Sequence, residues 1–195
     1  MGLVGETKDG GRGLLGTAAT VAIVVLVAVV VVLGVVYFRA PRLTRVRVGQ
    51  TPPDFTVGQL DPSVLTGTTA TLSRMRRPLV LFFLDTRWPG ATAYARSAEL
   101  LYRRTFRRGL EMMAVMLDDD LAHAREFRQG NELTFTVVSD PHAGVVGKSY
   151  GVPRTPEAYL IDKQGRVSAV FTDRLDWADL QTRDAIEKHL EPGAW

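Results

Sequence analysis

The sequence contains no cysteine in 195 residues. Thiol–disulfide exchange and thiol peroxidation both require a thiolate, so the chain's own side chains cannot carry out either reaction. Disulfide bonds within the chain are excluded for the same reason, and folding is therefore compatible with oxidising and reducing compartments alike. Methionine, with five copies, is the only sulfur-containing residue, and it does not ionise.

Charge is absent from one long stretch, residues 14–38. Twenty-five helical residues reach about 37 Å, enough to cross a hydrocarbon layer of about 30 Å. The stretch is too long for the apolar core of a signal peptide, and no small-x-small cleavage site follows it. The sequence therefore predicts an uncleaved transmembrane helix over residues 14–38, with a disordered, Gly-rich segment over residues 1–13.

An excess of basic residues is confined to the segment after this predicted helix. Residues 39–53 contain four arginines, three prolines and no acidic residue, which predicts an extended linker and lipid contacts over residues 14–47. Residues 52–195 hold 18 basic and 19 acidic side chains, so no nucleic-acid partner is expected. Taken alone, the four arginines favour a cytoplasmic position for the C-terminal side.

Residues 54–195 alternate between patterns of buried strands and amphipathic helices. Strands are predicted at 78–85, 110–117, 135–140, 158–162 and 167–172, and helices at 91–108, 118–131, 142–152 and 176–190. The last two strands form a hairpin around Gly165, and the last helix is expected to bury Trp177, Leu180, Ile186 and Leu190. This order predicts an α/β sandwich whose mixed sheet has parallel central strands.

Three segments carry a resemblance to a known family. They are "VGQTPPDFTV" (48–57), "LSRMRRPLVLFFLDT" (72–86) and "VSDPHAGVVGKSYGVPRTPEAYLIDKQGRV" (138–167). In this order they resemble the redoxin, or alkyl hydroperoxide reductase/thiol-specific antioxidant (AhpC/TSA), family over about residues 48–190. The resemblance implies a thioredoxin-like three-layer sandwich with a mixed central sheet.

The resemblance also implies where the functional loop lies. In the family, the segment after the first core strand carries a cysteine, and Trp88 stands where a Cys-Pro form would have it, with Pro89 retained. Thr155–Pro156 matches the family's cis-proline beside that loop. The two loops would then form a cleft that binds a peptide without turnover, unless Pro156 only shapes the core. The residues of this degenerate loop and cleft are Thr86, Arg87, Trp88, Pro89, Thr92, Tyr94, Thr155 and Pro156.

Other candidate sites are weaker. Trp88 and Tyr94 either anchor a partner or fill the space that a thiol pair would occupy. The run Asp118–Asp120 with His123 has metal-ligand chemistry, but an aspartate N-cap explains it better, and His142 is expected to be exposed. Neither a metal nor another cofactor is predicted. Four arginines on the first helix form a solvated face or a second membrane or partner contact: Arg103, Arg104, Arg107 and Arg108.

These observations favour a membrane-anchored redoxin-type protein that is a non-catalytic binding or assembly component. One alternative is an oxidoreductase of the same family that acts through a partner's thiol or an unrecognised cofactor. Another alternative is a structural scaffold. Tethered domains of this family lie outside the cytoplasmic membrane, so the resemblance implies an extracytoplasmic domain, whereas the arginine count favours the cytoplasmic side.

Overall fold

The computed structural model describes residues 21, 23–32, 45–60, 68–152, 155–172, 175–187 and 189–190. The chain divides into two compact units, Met1–Arg42 and Leu43–Trp195. In the first unit, residues 21 and 23–32 are helical. Among the described residues, no helix combines the length and the hydrophobicity needed to cross a membrane. The predicted segment 1–13 and both ends of the predicted helix 14–38 lie outside the described residues.

The second unit is built around a five-stranded mixed sheet. A short antiparallel pair, β1 (Thr56–Gly58) and β2 (Thr69–Thr71), precedes it. The five strands are β3 (Leu79–Leu84), β4 (Glu111–Met116), β5 (Thr136–Ser139), β6 (Glu157–Ile161) and β7 (Val167–Phe171). Their spatial order is β5-β4-β3-β6-β7. The predicted sheet with parallel central strands is confirmed, since β3, β4 and β5 are parallel and β6 and β7 are antiparallel to their neighbours.

Strand β3 lies at the centre of the sheet because all six of its residues are apolar and can be buried on both faces. Val80, Phe82 and Leu84 contribute to the core on one face, and Leu81 and Phe83 to the core on the other. Such a strand fixes its neighbours on both sides, β4 in parallel and β6 in antiparallel orientation. It therefore also fixes which loops meet at each end of the sheet.

Four helices cover the two faces. They are α1 (Ala91–Thr105), α2 (Leu121–Gly130), α3 (Val146–Tyr150) and α4 (Leu180–Glu187). Buried residues of α1, α2 and α4 belong to the core on the Phe82 side, whereas Val146 and Tyr150 of α3 belong to the core on the Phe83 side. The domain thus has helices on both faces of one mixed sheet.

The predicted aspartate cap of α2 and the predicted end of α1 at Gly109 are confirmed. Asp120 caps α2, since its Oδ1 accepts hydrogen bonds from the backbone N–H groups of Ala122, at 2.8 Å, and His123, at 3.3 Å. Helix α1 continues into a 3-10 turn, Phe106–Arg108, and ends at Gly109, whose φ of 94° suits a residue without a side chain.

Two predicted helices are shorter than the sequence indicated. His142 and Ala143 adopt left-handed backbone conformations, with φ of 58° and 50°, so the predicted helix 142–152 is reduced to α3. The last helix begins at Leu180 rather than at residue 176, because residues 176–179 form a turn.

The predicted burial of the last helix is consequently wrong at one position. Leu180 is 62% exposed, whereas Trp177 and Ile186 are fully buried. Since the turn before the helix changes the angular relation between Trp177 and Leu180, the two side chains do not share a face. Trp177 reaches the core from the turn, not from the helix.

The arginines of α1 are mostly engaged by acidic side chains. Arg103 Nε lies 2.7 Å from Glu99 Oε1, one turn earlier on the same helix. Arg104 and Arg108 both pair with Glu187 of α4. These pairs agree with the prediction of a solvated helix face.

Candidate functional site

The candidate site is the loop that joins β3 to α1. Strand β3 ends at Leu84, and the chain turns so that the backbone N–H of Trp88 donates to the carbonyl of Asp85 at 3.1 Å. The N–H of Ala91 then donates to the carbonyl of Trp88 at 2.9 Å, which starts α1. A tight turn of this kind presents the residues before α1 at the carboxyl end of the central strand.

Trp88 lies across the beginning of α1. Its indole ring covers Gly90, where an added Cβ would be 2.4 Å from Cη2 and Cζ2 of the ring. The ring also packs edge-on against Tyr94, with centroids 6.0 Å apart. Tyr94 is only 3% exposed and contacts the rings of Phe82 and Trp177. Trp88 is therefore the half-buried outer member of an aromatic cluster whose inner members belong to the core.

Thr86 anchors the loop to the neighbouring strand. Its backbone N–H lies 3.2 and 3.3 Å from the two carboxylate oxygens of Asp118, and its hydroxyl donates to Asp118 Oδ1. Asp118 follows β4 and is only 2% exposed. Because the hydroxyl is already committed to this carboxylate, Thr86 has a structural role at the base of the loop.

Sequence reasoning included Thr86 in the loop but missed the role of Asp118. The register of β3 and β4 pairs Leu84 with Met116, so two further residues bring Thr86 level with Asp118. A polar residue two positions beyond each of two parallel strands is the signal that could have identified this contact.

Arg87 is the exposed residue of the loop, and it is held by acidic side chains. Its guanidinium contacts both carboxylate oxygens of Asp85, at 3.0 and 2.9 Å. These hydrogen bonds are the main cause that holds the pKa of Asp85 below its ordinary value. Asp119 lies 3.8 Å from the same guanidinium and 2.8 Å from Nδ1 of His142, which is exposed as predicted. This carboxylate–guanidinium chain forms a polar border beside Trp88.

The second half of the predicted cleft lies on the adjacent strand. The Thr155–Pro156 peptide bond is cis, as the resemblance implied. Strand β6 pairs with β3 so that Glu157 lies opposite Phe83, and continuing this register by two residues brings Thr155 opposite Asp85. The two loops therefore start from the same end of neighbouring strands, which lie about 4.8 Å apart. Pro156 is buried and Thr155 is half-buried, while Pro89 and Thr92 are exposed.

A buried carboxylate follows the cis-proline. Glu157 is 2% exposed, accepts a hydrogen bond from the hydroxyl of Tyr159, and lies 2.8 Å from Nη2 of Arg45. Burial is the main cause that raises the pKa of Tyr159, and the bond to Glu157 raises it further. Sequence analysis assigned Arg45 to lipid contacts, whereas the structure places it against this carboxylate, 112 residues away in sequence.

An open groove of about 460 Å³ runs beside Trp88 along α1. Its apolar lining comes from Trp88, Tyr94, Leu100 and Leu175, and Arg96 and Asp176 contribute one charge of each sign. Leu100 is 61% exposed and adds apolar surface to this groove.

Two hydroxyl groups at this loop are held by their surroundings. Thr86 donates its hydroxyl to Asp118, and burial raises the pKa of Tyr94 far above its ordinary value, so the phenol stays neutral. Within the described part of the chain, no group of three or more His, Asp or Glu side chains is arranged to hold a metal ion. The ring of Trp88 lies next to the partly apolar groove.

The chain belongs to the AhpC/TSA family, whose family model matches residues 48–170, more than half of the sequence. The match includes the loop with Trp88 and the strand that follows the cis-proline. The resemblance seen in the sequence is thereby confirmed, together with the thioredoxin-like fold.

The chain is similar to a peroxiredoxin and to a thiol-disulfide oxidoreductase. It is 29% identical to the chloroplastic peroxiredoxin Q of Populus jackii over 156 residues, which cover 75% of this chain and 66% of that protein. It is 30% identical to the thiol-disulfide oxidoreductase ResA of Geobacillus thermodenitrificans over 149 residues, covering 76% of this chain and 79% of that protein. The crystal structure of peroxidoxin BcpB from Mycobacterium tuberculosis superposes with a TM-score of 0.61 at 22% identity, covering 75% of this chain and 97% of that one. This last likeness shows the fold.

Proposed function

We propose that this chain is a non-catalytic member of the AhpC/TSA family that binds an extended segment of a partner protein. One observation carries the proposal. Trp88 covers the start of α1, where the reactive sulfur of the family would lie. Its relatives are named as a peroxiredoxin and a thiol-disulfide oxidoreductase, whereas this chain has no cysteine. An indole cannot form a thiolate, so the family's chemistry is lost while its recognition surface is retained.

The groove beside Trp88 supports a peptide ligand. Trp88, Leu100 and Leu175 offer apolar surface that a partner's side chain can cover, and tryptophan does so at a low cost in side-chain entropy. Arg96 and Asp176 in the same groove can orient the polar backbone or charged groups of the ligand. Thr155, which precedes β6 and lies level with Asp85, is a half-buried polar residue beside the loop and outside the lining of this groove.

We further propose that the domain is tethered to the cytoplasmic membrane and faces the extracytoplasmic side. Support comes from the uncharged residues 14–38 and the four arginines after them. The described helical residues 23–32 expose valine, leucine and isoleucine side chains, which are 47–62% accessible. Lipid tails would cover this apolar surface. A reporter that is active in one compartment, fused to the C-terminus, tests the orientation; activity of the cytoplasmic reporter would reverse it.

Site-specific photo-crosslinking tests the binding proposal. A photoreactive amino acid is placed at position 88 of the full chain in its native membranes, with position 125, an exposed site on α2, as the matched control. We expect a specific adduct from position 88 and none from position 125. The crosslinked segment of the partner is then synthesised as a peptide, and Trp88→Ala should weaken its binding at least tenfold. Leu180→Ala, which removes an exposed apolar side chain from α4, should leave binding unchanged.

Activity measurements separate this proposal from the alternatives. The pure chain should neither consume hydrogen peroxide nor reduce insulin disulfides, and steady turnover would contradict the proposal. An oxidoreductase acting through a partner's thiol would show turnover only after the partner is added. A scaffold would bind its partner equally well before and after Trp88→Ala.

A further inference from the structure

Five basic side chains surround one cavity at the end of the sheet opposite the Trp88 loop. The cavity has a volume of about 430 Å³ and lies between the start of β3, the end of α1 and the β6–β7 turn. Its basic residues are Arg76, Arg77, Arg107, Arg108 and Lys163, and no acidic residue lines it. We propose that this cavity binds an anion that carries more than one negative charge, of the phosphate class.

The cluster does not follow from a general excess of positive charge. Residues 52–195 contain 18 basic and 19 acidic side chains, so the domain as a whole is close to neutral. At the other end of the same strands, Asp85, Asp118 and Asp119 follow β3 and β4. The lining of the cavity is therefore basic, although Glu111 and Asp162 also lie at this end of the sheet.

Among the residues that the structure describes, four of the five cations have no acidic partner. Arg108 pairs with Glu187, but this carboxylate is shared with Arg104. Within the described residues, neither Arg76, Arg77, Arg107 nor Lys163 lies within 4.0 Å of a carboxylate oxygen. Arg107 instead lies over the ring of Phe106, 5.8 Å from its centroid. Repulsion between like charges around one cavity is relieved when an anion enters it.

Helix stabilisation explains only part of the cluster. Arg107 and Arg108 stand at the C-terminal end of α1, where cations are favoured by the helix dipole. Arg76 and Arg77 precede a strand, and Lys163 lies in the turn of a hairpin, so these three have no helix end to stabilise. They are consequently the residues by which a binding role can be tested.

The same three side chains also border a second cavity, of about 260 Å³. Its apolar lining includes Leu72, Leu79 and Ile161. The two carboxylates there are held by backbone amides. Asp54 Oδ1 accepts from Phe55 and Ser73, both at 2.9 Å, and Asp162 Oδ1 accepts from Gln164 at 2.9 Å and Arg166 at 2.8 Å.

The two adjoining cavities define the chemistry of the ligand. Arginine presents a planar fork of donors that matches the oxygens of phosphate, and four arginines with one lysine suit a group of two or more charges. The apolar second cavity can take an uncharged part of the same molecule. Both a phospholipid headgroup and a soluble organic phosphate have this chemistry.

Binding of inorganic pyrophosphate to the full chain in a non-ionic detergent tests the proposal by titration calorimetry. We expect saturable binding of one pyrophosphate per chain. The triple variant Arg76→Gln, Arg77→Gln, Lys163→Gln should weaken it at least tenfold. The matched control is Arg47→Gln, Arg125→Gln, Lys148→Gln, which removes the same charge from exposed positions outside the cavity and should change the affinity less than twofold. If the triple variant fails to fold, Lys163→Gln alone, in an exposed turn, should weaken binding about threefold.

The source of the phosphate group is distinguished by competition. Mixed micelles containing phosphatidylglycerol should displace pyrophosphate if the natural ligand is a lipid headgroup, and micelles containing phosphatidylcholine should not. If neither displaces it, the site takes a soluble phosphate. Absence of saturable pyrophosphate binding to the native chain, or equal loss in both triple variants, would overturn the proposal. Neither result bears on peptide binding at Trp88.

Discussion

The indole ring of Trp88 lies so close to Gly90 that no side chain fits between them, since an added Cβ would be 2.4 Å from the ring. Glycine at position 90 is thus what allows an aromatic ring to occupy the head of α1. The two residues together define the surface at the start of α1. Several consequences of the structure can be measured without knowing the partner.

Gly90→Ala should displace the Trp88 ring. The backbone at position 90 accepts alanine, so the added methyl group acts through its contact with the indole. We expect a loss of about 1–2 kcal/mol in the free energy of unfolding, typical of overpacking, and a shifted resonance of fluorine-labelled Trp88. Gly130→Ala is the matched control because an added Cβ there meets nothing within 4 Å. An unchanged Trp88 resonance in Gly90→Ala would show that the ring does not rest on Gly90 in solution.

Thr86→Val should loosen the loop at its base. Valine has nearly the shape of threonine but cannot donate to Asp118, a carboxylate that is 2% exposed. A buried acceptor that loses a donor costs about 1–3 kcal/mol, which urea denaturation can measure. Thr86→Ser should restore most of the loss. The same change at the exposed Thr92 should alter stability by less than about 0.5 kcal/mol; equal effects at both positions would rule out the proposed anchor.

Arg45→Gln should destabilise the domain through Glu157. The carboxylate is buried after the cis-proline, and removal of its cationic partner leaves a charge in the interior. Fully buried pairs lose about 3–5 kcal/mol on such a change, but Arg45 is 45% exposed and water screens the pair, so we expect about 1–2 kcal/mol. Arg47→Gln, two residues away in the same linker, is the control. Equal stability of the two variants would mean that Arg45 does not neutralise Glu157.

The parts of this structure that sequence could predict depend on local patterns. Six consecutive apolar residues specify β3, Asp120 is followed by free backbone amides that it can cap, and Gly109 permits the left-handed ending of α1. Resemblance to the family predicted the cis bond before Pro156. Each of these features involves residues that are close in sequence or belong to a known motif.

Contacts between distant residues were not predicted. Thr86 and Asp118 are 32 residues apart and depend on the register of β3 and β4. Arg45 and Glu157 are 112 residues apart and depend on where the segment before β1 packs. Leu180 was assigned to the core by its spacing from Trp177, and a turn between them breaks that spacing. The orientation of the Trp88 side chain also depends on tertiary packing, since Gly90 leaves room for the indole ring and Tyr94 packs against it.

Tyr150→Phe should change how the domain unfolds in alkali. Burial is the main cause that raises the pKa of Tyr150 far above its ordinary value of 10, so the folded chain retains a proton that the unfolded chain releases. Below pH 10 the phenol is protonated in both states, and its ionisation has no effect on stability. Above pH 10 the unfolded state binds fewer protons, and each such tyrosine lowers the free energy of unfolding by about 1.4 kcal/mol per pH unit.

The variant therefore has opposite effects on the two sides of pH 10. At pH 8 it loses the hydrogen bond from the Tyr150 hydroxyl to the carbonyl of Pro53, 3.1 Å away, and should be less stable by about 1 kcal/mol. Above pH 10 the variant has no phenol at position 150 to ionise in the unfolded state, so it is not destabilised in this way. Its urea midpoint should therefore meet that of the native chain and exceed it by about pH 11. Burial also raises the pKa values of Tyr94 and Tyr159, but these two tyrosines affect the native chain and the variant equally. Parallel curves from pH 8 to pH 11 would show that Tyr150 ionises in the folded state.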